Sequence, residues 1–112
     1  MFSFKKESEY TVSVRSKNMS LEGTITIPST YSKMTVTTIS ANGFSWCKKI
    51  ETVVIPISVQ IIEEKAFADC SSLKEIIYNG PMRAWEKIYK NSSWDDNTPK
   101  YVIRCTDGTI SK

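Results

Sequence analysis

The chain has 112 residues, enough for one ordinary domain with one modest hydrophobic core. Its net charge of +3, from 15 basic and 12 acidic side chains, is too small to demand a nucleic acid or an anionic membrane as partner. The chain contains no histidine, which excludes histidine-based acid–base catalysis, Ser–His and Cys–His nucleophile pairs and histidine metal sites.

Strand-like alternation begins after the first few residues. Isoleucine occurs 13 times and leucine twice, and side chains branched at Cβ suit a pleated sheet. Residues 10–14 and 21–27 alternate apolar and polar side chains and are separated by a polar stretch. We therefore predict a β-hairpin over residues 9–27 that covers one end of the domain, preceded by a frayed tail at residues 1–8.

An internal repeat follows the predicted hairpin. The repeated positions are Phe44, Cys47 and Ile50, which return 23 residues later as Phe67, Cys70 and Leu73. An Ile-Pro pair at residues 27–28 also returns at residues 55–56, and the first copy carries a five-residue insertion around residues 31–34. A period in the low twenties is typical of a leucine-rich-repeat solenoid, in which each coil buries its apolar face against its neighbours.

One repeat unit combines a short strand with a predicted short helix. Residues 52–55 form the strand, which ends at Pro56 because proline lacks a backbone donor. Apolar residues between Ile62 and Leu73 fall near helical spacing and predict a short helix that closes the coil.

The pattern changes after the second copy. Pro81 suits the first turn of a helix, and Met82, Trp85, Ile88 and Tyr89 form one apolar stripe, so we predict a helix of about two to three turns. A polar loop and a strand over residues 101–105 complete the chain. Trp85 and Trp94 are large enough to close the open end of a small solenoid, which predicts a C-terminal cap.

These motifs resemble the BspA-like subfamily of leucine-rich repeats. The matching positions are Ile55-Pro56, Ser58-Val59, Ile62, Ala66-Phe67, Cys70 and Leu73, and the first copy matches less fully. The ending is also similar to the C-terminal cap of such arrays, through Tyr78-Asn79-Gly80, Trp85, Trp94 and residues 105–110. The resemblance implies an α/β repeat fold: a short leucine-rich-repeat solenoid with an N-terminal β-hairpin cap and a C-terminal helix-plus-strand cap. It also implies binding rather than catalysis, often in secreted or surface proteins of bacteria and protists.

We expect a single domain over residues 1–112. Its parts are the tail at residues 1–8, the hairpin cap at 9–27, two BspA-like repeats at 25–77 and the C-terminal cap at 78–112. Because an unaided solenoid usually needs about three repeats, the caps or a partner must supply much of the core.

No motif of an enzyme is present. The GxSxG, Walker, HExxH and GxGxxG patterns are all missing, so we expect no catalytic residue and no cofactor. Asp95 and Asp96 lack the further oxygen ligands and the turn glycine of a calcium loop, and we expect no metal. Cys47, Cys70 and Cys105 are expected to be buried, reduced thiols, since two of them occupy the core position of the repeat.

Basic and aromatic residues interleave in the C-terminal part of the chain. They are Arg83, Trp85, Lys87, Tyr89, Lys90, Lys100, Tyr101 and Arg104. Such a mixture can follow a phosphate backbone and stack bases, so a nucleic-acid binder is one alternative. The other interpretation is that the aromatic residues close the core while the cations face water, and the small net charge favours it.

The strands also predict an outward-facing apolar surface. Alternation places Val54 and Ile77 side by side on the outer face of an otherwise threonine-rich sheet. By comparison with the neighbouring isoleucines, Thr38 and Ile61 are also predicted to face outward.

Trp46 is the largest departure from the repeat. It stands where the next copy has Asp69, and with Lys48 and Lys49 beside it has the make-up of a binding hot spot. The alternative is that Trp46 folds back over Tyr31 or Met34 of the insertion. The predicted partner-binding residues are Trp46, Lys48, Lys49, Val54, Ile61, Ile77 and Tyr31.

The sequence therefore predicts a non-catalytic protein–protein interaction module. We expect a small intracellular inhibitor, such as a phage or mobile-element protein that blocks a host complex; the alternative is the terminal fragment of a surface adhesin. Neither a secretory signal nor a membrane span is visible, so we expect a cytoplasmic location, although a secreted or surface chain trimmed of its signal would look the same. An open solenoid edge also permits a homodimer.

Overall fold

The computed structural model describes residues 1–112 and consists mainly of short strands joined by turns. Its one helix, α1, spans Met82–Lys87. The strands are β1 (Phe2–Lys6), β2 (Thr11–Ser16), β3 (Glu22–Thr26), β4 (Thr30–Tyr31), β5 (Met34–Ile39), β6 (Lys49–Ile55), β7 (Ile61–Ile62), β8 (Glu75–Tyr78), β9 (Tyr89–Lys90), β10 (Val102–Cys105) and β11 (Gly108–Ser111).

Two sheets form the walls of a small solenoid. The first sheet has the order β1-β2-β5-β7-β9, with β4 attached to β5, and the second has the order β11-β10-β8-β6-β3. Strands of successive coils pair in parallel, whereas β1–β2, β4–β5 and β10–β11 are antiparallel pairs. The chain alternates between the sheets and winds about four times. The predicted repeat solenoid is therefore confirmed, but the prediction of two coils over residues 25–77 is too low, because β2–β3 and β9–β10 form further coils on either side.

The repeated phenylalanines lie one above the other in the core. The rings of Phe44 and Phe67 are fully buried and stack with their centroids 5.2 Å apart and their planes 9° apart. Phe2 packs edge-on against Phe44 at 5.9 Å, and Trp94 against Phe67 at 6.2 Å. These four residues form an aromatic column through the core, and their rings supply much of its apolar volume.

The corners between the sheets are turns, so the helix predicted from Ile62 to Leu73 is wrong. Lys65 and Asp69 have φ values of 53° and 61°, which a right-handed helix cannot contain. The backbone N–H of Phe44 instead donates to the Ala66 carbonyl of the next coil at 2.7 Å. The helical spacing of apolar residues thus reflects stacked turns that hydrogen-bond between coils.

The N-terminal segment differs from the sequence prediction. Residues 1–8 are not a frayed tail, because β1 pairs with β2 and both Phe2 and Phe4 pack against the core. The hairpin predicted over residues 9–27 is also not formed, since β2 lies in the first sheet and β3 in the second. Alternation shows that one face of a strand is buried but not which strand it pairs with.

The insertion in the first repeat is a second hairpin. Strand β4 pairs antiparallel with the start of β5, and Ser32 and Lys33 at the tip have φ values of 50° and 67°. Two consecutive positive values are typical of a type I′ turn. Tyr31 stacks on Phe4 with the ring centroids 4.0 Å apart, so this hairpin lies at the same end of the solenoid as β1.

Helix α1 and two tryptophans lie at the C-terminal end. Trp85 and Trp94 are 4% and 8% exposed, and their rings meet edge to face at 6.0 Å. The Lys90 ammonium donates to the carbonyls of Trp85 and Ile88, both at 2.9 Å, and so satisfies acceptors at the end of α1. No helix in the chain has both the length and the apolar character needed to cross a membrane.

Candidate functional site

Trp46 lies in the corner between β5 and β6, where its backbone adopts a left-handed conformation that suits asparagine or aspartate better than tryptophan. Its φ is 63°, and the counterparts in the next two coils, Asp69 and Asn97, have φ values of 61° and 59°. Inter-coil hydrogen bonds define this equivalence, because the N–H of Trp46 donates to Ala68 and that of Asp69 to Asp96. Asparagine and aspartate tolerate left-handed backbone, whereas a bulky side chain there costs about 1 kcal/mol or more.

Only part of the ring is buried against the fold to offset this cost, since Trp46 is 52% exposed. A groove of about 500 Å³ lies beside the indole ring and is lined by Met19, Ser20, Trp46, Lys48 and Lys49, which we name the Trp46 cluster. The Lys48 ammonium lies 5.4 Å from the centre of the ring, within the range of a cation–π contact. The exposed indole ring with two lysines beside it is complementary to a partner surface on which an apolar side chain lies next to an acidic group.

Val54 and Ile77 face each other across β6 and β8, where alternation predicts them. Both are half-buried and belong to a row on the second sheet. Thr52, two residues before Val54 in β6, is only 7% exposed because it lies between the paired strands β3 and β8, and its hydroxyl hydrogen-bonds to the Glu75 carboxylate at 3.3 Å. Val54 lies five residues beyond Lys49, about 17 Å along the strand, so this row is separate from the Trp46 cluster.

Ile61 lies on the first sheet, away from Val54 and Ile77. It pairs with Thr38 on one side and with Tyr89 on the other. Ile61 is 38% and Tyr89 61% exposed, whereas Thr38, predicted to face outward, is only 6% exposed because it lies between two paired strands.

The structure separates Tyr31 from Trp46. Tyr31 lies in the corner before β5 and stacks on Phe4, whereas Trp46 lies in the corner after β5. The alternative in which Trp46 folds back over the insertion is therefore excluded. Among the predicted site residues, only Trp46, Lys48 and Lys49 come together in one cluster.

Sequence analysis missed two exposed residues of these surfaces, Met19 and Tyr89. Met19 is 64% exposed in the polar stretch before β3. A single apolar residue among polar ones could have indicated an exposed contact there. Tyr89 was assigned to the apolar stripe of the predicted helix, but α1 ends at Lys87 and Tyr89 begins β9 with its side chain outward. The helical spacing of apolar residues continues by chance beyond the end of α1, so the sequence did not indicate that Tyr89 is exposed.

The three cysteines are free thiols, of which Cys47 and Cys70 are buried and Cys105 is half-buried. Burial raises the pKa of Cys70 to about 12, and its thiol donates to the Phe44 carbonyl at 3.1 Å. Burial also raises the pKa of Cys47. A thiol held in its protonated form is a poor nucleophile at neutral pH. No group of three or more His, Cys, Asp or Glu side chains is arranged to hold a metal ion.

Four of the eight basic and aromatic residues of the C-terminal part are engaged within the fold. Trp85 and Tyr101 are buried, and the Tyr101 hydroxyl donates to the Asp95 carboxylate at 2.7 Å. Lys90 binds carbonyls of α1, and Arg104 forms an ion pair with Glu75. The other four, Arg83, Lys87, Tyr89 and Lys100, are exposed, and the nucleic-acid alternative stays a prediction.

Comparison with protein families assigns the repeat. Residues 14–93 match the model of the BspA type leucine rich repeat region (6 copies). The chain belongs to the BspA-type leucine-rich-repeat family. The match runs from β2 to the corner after β9 and thus includes the coils on both sides of the Phe44–Phe67 stack. Repeats of this family are typically not enzymes.

A solved structure shares the fold. It is the crystal structure of a T. pallidum leucine-rich repeat protein, which is 21% identical to this chain and superposes with a TM-score of 0.55. The alignment covers 68% of this chain and 40% of that one, so the chain spans less than half of that protein. No curated protein sequence matches the chain.

Proposed function

We propose that this chain is a non-catalytic protein-recognition module whose principal contact is the Trp46 cluster. The observation that carries the proposal is a tryptophan, 52% exposed, at φ 63° in a turn whose counterparts are Asp69 and Asn97. Residues in a strained backbone conformation cluster at functional positions. Exposed tryptophan is also the residue type most enriched in protein-binding hot spots.

The cations beside Trp46 define the chemistry of the partner. Lys48 lies over the indole ring and Lys49 lines the same groove. A partner that inserts an apolar side chain next to a carboxylate would satisfy both features. Val54 and Ile77 offer a smaller second contact on the second sheet.

A non-catalytic binding module acts by occupying a surface of its partner. We therefore propose that it inhibits assembly of the complex to which that partner belongs. Three free cysteines without a disulfide support action in a reducing compartment such as the cytoplasm. The alternative of an adhesin fragment would need further coils at one end of this solenoid.

The test is affinity capture from the source cell with the wild type and matched variants. Trp46→Asn removes the ring but suits the turn, so it separates binding from folding. Tyr89→Ser is the control, because Tyr89 is at least as exposed as Trp46 but lies on the first sheet at the other end of the solenoid. Ile77→Asp tests the second contact.

We expect a specific partner to be retained by Tyr89→Ser and to bind Trp46→Asn at least about tenfold more weakly. The decisive measurement is the dissociation constant of the purified partner. Equal affinity of the wild type and Trp46→Asn would exclude the Trp46 cluster, and loss on Tyr89→Ser alone would move the contact to the first sheet.

A further inference from the structure

We propose that the Trp46 cluster and the depression beside it bind one extended segment of a partner protein, whose side chains meet them in the order apolar, acidic, basic. The inference rests on the proposed function and deepens it, because it names the side chains by which the Trp46 cluster would recognise its partner. The neighbouring depression has a volume of about 460 Å³ and is lined by Glu22, Gly23, Lys49, Glu51 and Ser72, which we name the Glu22 depression.

The lysines of the cluster are, like Trp46, departures from the repeat. Cys47 has Cys70 as its buried counterpart 23 residues later, and the next two positions are Lys48 and Lys49 in one coil but two serines in the other. The same spacing relates the paired strands β6 and β8, so these corners are equivalent. Because serines serve the fold at this corner of the next coil, the fold does not require two cations here. Lys48 and Lys49 are both exposed and thus available for binding.

The charges beside the Trp46 groove are unpaired within the chain. The ion pairs of the protein are Lys74–Glu51, Arg104–Glu75 and Lys112–Asp95. None of them includes Lys48, Lys49 or Glu22. Glu22 and Lys49 lie opposite each other in β3 and β6, yet their side chains do not form an ion pair. Since Lys74 neutralises Glu51 at 2.9 Å, Glu22 is the available carboxylate of its depression.

The order of contacts follows from Lys49, which lines both the Trp46 groove and the Glu22 depression. An apolar side chain would lie against Trp46 and Met19. An acidic side chain would meet the lysines next to them, and a basic one would meet Glu22 beyond Lys49. A polyanion is disfavoured, because Glu22 would repel it beside the lysines.

A short extended segment can supply all three contacts. Side chains two residues apart in an extended chain point to the same side, so the contacts fall at the first, third and fifth residues. Five such residues extend over about 13 Å from the first Cα to the last. The partner segment is therefore expected to have the pattern apolar-x-acidic-x-basic.

The first experiment titrates the full chain with two capped peptides of equal composition, Phe-Ser-Asp-Ser-Lys and Phe-Ser-Lys-Ser-Asp. Peptide concentrations up to about 5 mM detect weak binding. The readout is the indole N–H resonance of each tryptophan by NMR, in which the buried Trp85 and Trp94 at the far end act as internal references. We expect the first peptide to shift the resonance of Trp46 alone. It should bind at least about fivefold more tightly than the second peptide, because exchanging the charges replaces two attractions by two repulsions.

The second experiment exchanges the charges of the protein. The double variant Lys49→Glu, Glu22→Lys keeps the net charge and leaves opposite charges facing each other across β3 and β6. We expect it to prefer Phe-Ser-Lys-Ser-Asp by at least about twofold, a smaller margin because Lys48 still favours an acidic side chain. The matched control is Glu86→Lys, Lys87→Glu on α1, where both side chains are exposed, and it should keep the wild-type preference.

No shift of the Trp46 resonance with either peptide would overturn the proposal, as would equal affinities of the two peptides. An exchanged variant that folds and keeps the wild-type preference would also overturn it. Tighter binding of Phe-Ser-Asp-Ser-Asp than of Phe-Ser-Asp-Ser-Lys would exclude the basic contact and indicate a polyanionic partner.

These failures differ from failure of the proposed function, which is tested with the captured partner. If Trp46→Asn loses that partner while the peptides show no preference, the Trp46 cluster remains the contact and only the order of side chains is wrong. If Trp46→Asn retains the partner, the proposed function fails whatever the peptides do.

Discussion

Trp46 is a single residue whose backbone conformation suits asparagine or aspartate. Its neighbours in the stack, Asp69 and Asn97, have φ values within a few degrees of its own 63°. The repeat alignment already sets Trp46 against Asp69 in the sequence. The strain was not foreseeable there, because neither counterpart of Trp46 in the next coils is a glycine and φ is fixed by the inter-coil hydrogen bonds.

Replacing Trp46 with asparagine should stabilise the fold while weakening recognition. We expect the free energy of unfolding to rise by about 1 kcal/mol, because asparagine tolerates the left-handed backbone conformation, which is unfavourable for a bulky side chain. Urea denaturation followed by circular dichroism measures this change. Asp69→Leu is the reciprocal control and should lower the free energy of unfolding by about the same amount. A destabilised Trp46→Asn variant would show that the ring packs productively in the free protein.

The thiol of Cys70 makes stability depend on pH. Burial raises the pKa of Cys70 from the ordinary value of 9.0 to about 12, so the folded state retains a proton that the unfolded state releases. The contribution of Cys70 to the free energy of unfolding should therefore be constant below about pH 8 and fall between about pH 9 and about pH 12. Burial also raises the pKa values of Cys47 and Tyr78, which adds to the effect, and lowers that of Lys90, which opposes it.

Cys70→Ser isolates this contribution, because serine keeps a donor for the Phe44 carbonyl but does not titrate in this range. The measurement is the urea midpoint at about pH 8 and about pH 11 for both proteins. We expect the wild type to lose more stability than the variant over this interval. Equal losses would assign the alkaline destabilisation to other groups.

Among the structural elements, the hairpin of β4 and β5 has a turn sequence that its geometry does not favour. Ser32 and Lys33 hold φ values of 50° and 67°, where Asn-Gly is strongly preferred. Replacing the pair with Asn-Gly should raise the free energy of unfolding by about 1 kcal/mol, measured by thermal and urea denaturation. A loss of stability would mean that the Lys33 side chain stabilises the folded state.

Sequence analysis identified most strands, because β-branched residues alternate with polar ones in segments such as residues 10–14 and 52–55. It could not assign them to sheets, and so paired β2 with β3 although they lie in different sheets. It also took the corner after Ile62 for a helix. Both errors have one cause: local periodicity reports which side chains are buried, whereas the partners of the backbone groups are set by residues one coil away.

At the scale of the whole molecule, stability depends on closing both ends of the core. Phe2 and Phe4 in β1 cover the end that would otherwise expose Phe44, and Trp85 and Trp94 cover the other. The sequence identified the tryptophans by their size. It missed Phe2 and Phe4, because a short segment with adjacent lysines at the start of the chain was interpreted as a frayed terminus.

Deleting residues 1–6 should therefore destabilise the protein although they lie at a terminus. We expect a loss of about 2–4 kcal/mol, from two partly buried rings and the β1–β2 hydrogen bonds. The measurement is urea denaturation of the truncated chain beside a Phe2→Ala, Phe4→Ala variant, which keeps the backbone. If both proteins are as stable as the wild type, the N-terminal strand does not close the core.

The positions of the three tryptophans also give the molecule separate optical reporters. Trp46 is half-exposed at one corner, whereas Trp85 and Trp94 are buried together at the far end. Acrylamide should quench the fluorescence of the first and spare the other two, and Trp46→Asn should leave emission from the buried pair alone. Opening of that end would then appear as newly quenchable, red-shifted light, so that fraying at one terminus can be followed without a label while the rest of the chain stays folded.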